Sequence, residues 1–129
     1  MRSPEEILRE ARTIAVVGAS PDSSRTSNGV MRYLQRAGYR CIPVNPNAQQ
    51  VLGERCYPSL ADVPEAIDFV DVFRRAEFCP DVARDAAAVG APALWLQLGL
   101  RSPEARAIAA GAGMDYVEDE CTAIVHRRL

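Results

Sequence analysis

Apolar residues along this chain fall into short blocks with two alternating rhythms. Ile14-Ala15-Val16-Val17, Cys41-Ile42-Pro43-Val44, Ile67 to Phe73, Ala93-Leu94-Trp95-Leu96 and Tyr116-Val117 are nearly continuous apolar runs, the pattern of strands buried on both faces. Between them apolar positions recur at helical spacing, as in Val30, Met31, Leu34 and Ala37, or Val82, Ala83, Ala86, Ala87 and Val89. The punctuation fits that alternation. Ser3, Pro4 and Glu6 form a capping box for a first helix, Gly38 and Gly90 supply left-handed stops, Pro80 sits in a first helical turn, and Ser102-Pro103-Glu104 opens a helix that ends near Gly111 and Gly113. Pro43 within the second run predicts imperfect pairing there. Gln49 to Pro58 is expected to be a loop or short extended segment, and Ser59 to Ala66, broken by Pro64, at most a short helix. The tail from Glu118 to Leu129 is too brief for another unit and is expected to lie across an edge or a helix.

Strands alternating with helices predict an α/β fold: a Rossmann-like three-layer sandwich with a five-stranded, mainly parallel sheet, built as one domain over residues 1–129. In such sheets ligands bind beyond the carboxyl ends of the strands. The informative residues are therefore the four strand exits: Gly18-Ala19-Ser20-Pro21, Asn45-Pro46-Asn47, Phe73-Arg74-Arg75 and Gln97-Leu98-Gly99.

The first exit carries the strongest signal. A buried strand that stops at a glycine leaves backbone N–H groups free, and the helix that follows adds the positive end of its dipole, so the loop suits an anion, phosphate above all. Ser20, Ser23, Ser24 and Ser27 add hydroxyl donors, and Arg25, Arg74 and Arg75 supply cations. Two common nucleotide signatures are absent. The dinucleotide fingerprint wants three glycines in six positions, whereas Gly18 is followed only by Gly29; a P-loop needs a Lys, and all fifteen basic residues are Arg. An NAD site also wants an acid at the end of the second strand, where this chain has Val44-Asn45-Pro46 and no acid until Glu54. A neutral turn there suits a ligand with a phosphate near its ribose.

Composition narrows the remaining classes. The net charge of −2 argues against general attraction to nucleic acid, and no apolar run approaches a membrane span, so a cytoplasmic location without membrane contact is expected. Cys41, Cys56, Cys79 and Cys121 form no C-x-x-C pair and only one His is present, so free buried thiols are expected and no metal site. That residue, His126, lies beside Arg127 and Arg128 and is expected at the surface. Trp95 is expected in the core.

At these exits the sequence resembles the small CoA-binding proteins built like the CoA-binding domain of the succinyl-CoA synthetase alpha subunit. Ile14 to Pro21, Pro43 to Pro46, Asp71 to Arg75, Trp95 to Gly99 and the Asp119-x-Cys121 pair carry the likeness across nearly the whole chain. The resemblance implies CoA as the ligand. It places Gly18, Ala19, Ser20 and Arg25 on the diphosphate, with Pro21 and Arg75 among the cofactor-binding residues. Asn45, Pro46 and Asn47 would border the adenosine end, Phe73 and Arg74 would lie along the ligand, and Gln97 would close the far side. If CoA binds, its thiol is expected near Cys121 or Cys79, where a mixed disulfide would protect or store it. One departure is the acidic Glu118-Asp119-Glu120, read here as a solvated face.

The related synthetase domain works with a second domain bearing a phosphorylated His and with a partner subunit, and this chain is expected to have neither. No G-x-S-x-G elbow or paired base is visible either. The reading is therefore a stand-alone CoA or acyl-CoA binding protein without intrinsic catalysis. An NAD(P)-binding redox enzyme or sensor is one alternative. The other is a subunit that supplies a CoA site to a separate acyl-CoA ligase or acyltransferase.

Overall fold

A computed structural model describes all 129 residues. Five strands form one sheet: β1 (Thr13–Val17), β2 (Arg40–Val44), β5 (Phe69–Val72), β6 (Ala93–Leu96) and β7 (Asp115–Val117), in the order β2-β1-β5-β6-β7. Every neighbouring pair is parallel. The order reverses beside β1, so the exits of β1, β2 and β5 meet at one crevice.

Helices cover both faces. On one face α1 (Pro4–Glu10), α2 (Thr26–Arg36) and α5 (Thr122–Arg127) pack over Ile14, Val16, Phe69 and Trp95; on the other α3 (Cys79–Ala88) and α4 (Pro103–Gly111) pack over Ala15, Val70, Val72, Leu94 and Leu96. Strand residues alternate between these two cores because successive side chains point to opposite faces. The capping box of α1 forms as expected: Ser3 Oγ accepts from the Glu6 N–H, and Glu6 reaches back to the Ser3 N–H.

Three segments correct or extend the sequence expectation. Residues 49–58 contain an antiparallel hairpin, β3 (Gln50–Val51) and β4 (Glu54–Arg55), turned by Leu52 and Gly53 at positive φ. Pro43 sits in full register with Val16, because the sheet-edge strand β2 needs only its carbonyl on the outer side, where the Tyr57 N–H donates to it at 3.0 Å. The tail lies across helices α1 and α2, as expected, and adds a helix of its own. It turns through Asp119 at φ 57° and forms α5, whose Ala123 and Val125 are buried in the core. Trp95 is fully buried, as expected, and its indole N–H donates to the Glu120 carbonyl, fixing the start of that tail.

Candidate functional site

The β1 exit is locked to its neighbours through the backbone. The Gly18 N–H donates to the Val44 carbonyl at 2.9 Å, and the Phe73 N–H donates to the Val17 carbonyl at 2.8 Å. Gly18 adopts φ +86°, and a β-carbon there would stand 2.6 Å from the Phe73 carbonyl oxygen. Only glycine lets the two exits approach so closely.

From Gly18 the loop crosses to α2 by way of two small polar turns. Asp22 Oδ1 accepts from the backbone N–H and the hydroxyl of Ser24, and Asn28, nearly buried, donates from Nδ2 to the Ser20 carbonyl at 3.0 Å. Asn45 Nδ2 donates to the Ala19 carbonyl at 2.8 Å while its Oδ1 accepts from the Asn47 N–H. The asparagine after β2 thus ties its own turn to the β1 loop. Helix α2 starts at Thr26 with Arg25 as N-cap and no side chain satisfying its first N–H groups.

These elements line a cleft with two adjoining lobes that share Gly18, Asn45, Phe73 and Arg74. The narrower lobe, about 320 Å³, reaches under Pro46, Asn47, Ser59 and Leu60 to Val82 and Asp85 on α3. The wider lobe, about 720 Å³, runs past Ser20, Arg25, Thr26 and Ser27 to Arg75 and Gln97, and ends at Leu98, Leu100, Cys121 and Ile124. Both volumes lie in the range of cofactor pockets.

The charge in the cleft is positive at its waist and absent at its far end. Arg74 lies over the Phe78 ring at 4.3 Å and enters no ion pair, nor does Arg25; Arg75 is held by Glu77 at 3.4 Å. The sole carboxylate lining either lobe is Asp85, at the tip of the narrow one. Under the wide lobe lies a buried polar set, Asp71, Gln97 and Thr122, joined by three hydrogen bonds.

Across residues 12–127 the sequence matches the family described as CoA binding domain. The chain belongs to that family. Among CoA binding domain relatives, the uncharacterized protein YneT of Bacillus subtilis is 40% identical over 122 residues, which cover 95% of this chain and 90% of YneT. A structure titled as a hypothetical protein from Pyrococcus horikoshii superposes with a TM-score of 0.94 at 38% identity, covering 99% of this chain and 92% of that one. The acetate–CoA ligase (ADP-forming) II of Archaeoglobus fulgidus is 32% identical over 81 residues, 61% of this chain but 12% of the ligase.

In this CoA binding domain, ten of the twelve residues expected at the site line the cleft: Gly18, Ser20, Arg25, Asn45, Pro46, Asn47, Phe73, Arg74, Arg75 and Gln97. Two do not. The Ala19 side chain is fully buried in the core on the α2 face, so only its backbone belongs to the loop, and Pro21 is exposed and lines neither lobe.

The thiols separate as well. Cys79 is fully buried, its Sγ directed to the carbonyls of Arg74 and Arg75, which removes it from any meeting with a ligand; Cys121 lines the wide lobe. Glu118 and Asp119 are not a free acidic face. Asp119 accepts from the Gly99 N–H at 2.7 Å, a bond that, with the Arg101 pair, holds its carboxyl below the usual range, while Glu118 accepts from the Tyr116 hydroxyl. His126 lies at the surface, as expected, but is not free. It is half-buried, with Nδ1 2.8 Å from the Tyr33 hydroxyl and its ring edge-on to Tyr39, away from the cleft.

Thr26, Asp85, Leu100 and Ile124 line the cleft without having stood out in the sequence as site residues, and Leu98 lines it from the fourth strand exit. Leu98 and Ile124 are exposed at the rim, and in sequence each sits among other apolar residues that give no hint of this. No helix of the protein is long and apolar enough to cross a membrane.

Proposed function

We propose that this protein binds CoA or an acyl-CoA in the two-lobed cleft and carries out no chemistry on it by itself. The observation that supports this reading is the order of chemistry along the cleft. Asn47 and Asp85 offer acceptors to an adenine amino group in the narrow lobe, and the Gly18–Ser20 loop, the first turn of α2 and the arginines Arg25 and Arg74 suit phosphates at the waist. The far end, with Leu98, Leu100 and Ile124, suits a neutral, partly apolar arm ending near a thiol at Cys121. Two or three desolvated charge-assisted contacts at about 1.5–3 kcal/mol each are of the size that micromolar affinity requires.

The same cleft disfavours NAD. Asn45 spends both ends of its amide on the loop backbone, and Glu54 is paired with Arg40 on the far side of β2, so no carboxylate faces the cleft at the ribose position. Calorimetric titration with CoA, dephospho-CoA and NAD tests the proposal: CoA is expected to bind most tightly, with a loss on removing the ribose phosphate. Equal or tighter binding of NAD would reverse it.

One finding favours a second use of the same site. The match to a much longer acetate–CoA ligase means that related chains serve as one part of a larger machine. In that reading the cleft presents CoA to a separate protein, and the exposed Leu98 and Ile124 at its rim are where such a protein would meet it. Cross-linking through Cys substituted at Leu98, in the presence and absence of CoA, distinguishes the two uses by whether a partner is captured only with ligand.

A further inference from the structure

Gln97 follows β6 directly, and only 4% of its surface is exposed, yet it lines the wide lobe. Its Nε2 donates to Asp71 Oδ1 at 2.5 Å and to Thr122 Oγ1 at 2.9 Å, and Thr122 Oγ1 donates to Asp71 Oδ2 at 3.0 Å. Once Asp71 is ionised, every proton in this ring is assigned by chemistry. An ionised carboxylate only accepts, and the single hydroxyl proton of Thr122 goes to Asp71, so the group of Gln97 that meets both partners has to be its NH₂. The Gln97 Oε1 is then left without a protein partner, and it is not sealed off as a buried unsatisfied atom.

Packing gives no reason for three polar side chains here. Asp71 is fully buried and no Arg or His touches it. Apolar residues of like volume in place of such a set are commonly neutral or stabilising. The three residues also come from three elements: Asp71 from β5, Gln97 from the β6 exit and Thr122 from the start of α5. Their common product is one oriented carbonyl at the edge of the cleft.

We propose that Asp71 and Thr122 are positioning residues that hold the Gln97 amide with its NH₂ inward, so that Oε1 is a fixed acceptor for a neutral N–H donor of the ligand, the chemistry of an amide in the pantetheine arm. This rests on the CoA reading above and adds to it the direction of one hydrogen bond. A freely rotating glutamine would accept or donate equally well; with Asp71 ionised, this one accepts only.

The test is titration, above neutral pH, with intact CoA and separately with its adenosine bisphosphate half, which lacks both amides. Gln97→Leu and Thr122→Val are each expected to weaken CoA about tenfold, the size of one lost hydrogen bond to a prepared acceptor, and to leave the adenosine bisphosphate half unchanged. Thr122→Ser keeps the hydroxyl and is expected to restore CoA binding to within twofold. Should Gln97→Leu fail to fold, the Val and Ser pair at position 122 carries the comparison, with binding of the adenosine bisphosphate half as proof of an intact cleft. Equal losses for both ligands, or no loss for either, would overturn the proposal while leaving CoA binding in place. Failure of the wild-type protein to bind CoA would instead remove the reading on which it stands.

Discussion

The carbonyl oxygen of Phe73 occupies the space that a side chain on Gly18 would need, 2.6 Å from the position of its β-carbon. Because the Phe73 N–H also bonds to Val17, the β5 exit cannot retreat without breaking the ladder that aligns it with β1. Gly18→Ala therefore meets two costs at once, a strained positive φ and a clash with backbone. We expect it to lower stability by about 2–4 kcal/mol and to abolish ligand binding in whatever fraction stays folded. Urea unfolding monitored at Trp95 reads the first effect; an alanine variant as stable as the wild type would show that the two exits separate easily.

The cations at the waist predict a division among the arginines. Arg25 and Arg74 line the cleft without an ion pair, whereas Arg84 on α3 pairs with Asp81 and Glu104 outside it. Removing Arg25 or Arg74 as Ala is expected to weaken CoA by about tenfold or more with little change in melting temperature, and to flatten the dependence of affinity on salt. Arg84→Ala is the control and should bind as the wild type does. If all three variants behaved alike, the waist would not be where the phosphates lie.

Burial sets up a pH dependence at Asp71. Taken out of water with two hydrogen bonds and no cation, its carboxyl is pushed up to about 7 from the ordinary 3.8. The folded state therefore takes up this proton more readily than the unfolded chain, and the stability it contributes is present in acid and lost as the pH rises through neutrality. Asp71→Asn removes that loss. The variant should gain on the wild type by about 1 kcal/mol per pH unit from roughly pH 4 to 7 and then hold a constant lead. Denaturant unfolding across that range measures the difference, and parallel pH profiles would contradict it.

The four thiols are expected to divide one against three. Cys41, Cys56 and Cys79 are buried, and desolvation raises all three, Cys41 to about 12, so the reactive thiolate is suppressed. Cys121 lines the cleft. Alkylation of the folded protein should label Cys121 first, read by mass after digestion, and saturating CoA should slow that labelling several-fold. Faster modification of Cys79 would mean that the exit at Arg74 opens in solution.

Much of this arrangement was legible in the chain, for reasons that also mark where legibility ended. Runs such as Ala93 to Leu96 have no polar alternation because both faces of the sheet are covered, so the parallel sheet and its exits could be read directly. Gly18, Asn45, Phe73 and Arg74 follow from those exits. The tail was opaque because α5 has only six residues, too few turns for a periodic pattern, and is held by packing on α1 and α2. With α5 went Thr122, and with Thr122 the meaning of Asp71, which in sequence is one of two acids inside an apolar run. Ala19 misled for a different reason: a small residue in a phosphate-type loop reads as room for a ligand, and here the small side chain faces the core instead.

Titration calorimetry of the purified wild-type protein with CoA, run beside NAD at the same concentration, tests the central claim most directly. The account predicts saturable, one-to-one binding of CoA in the micromolar range and markedly weaker binding of NAD. No heat of binding and no shift in melting temperature at saturating CoA would contradict it.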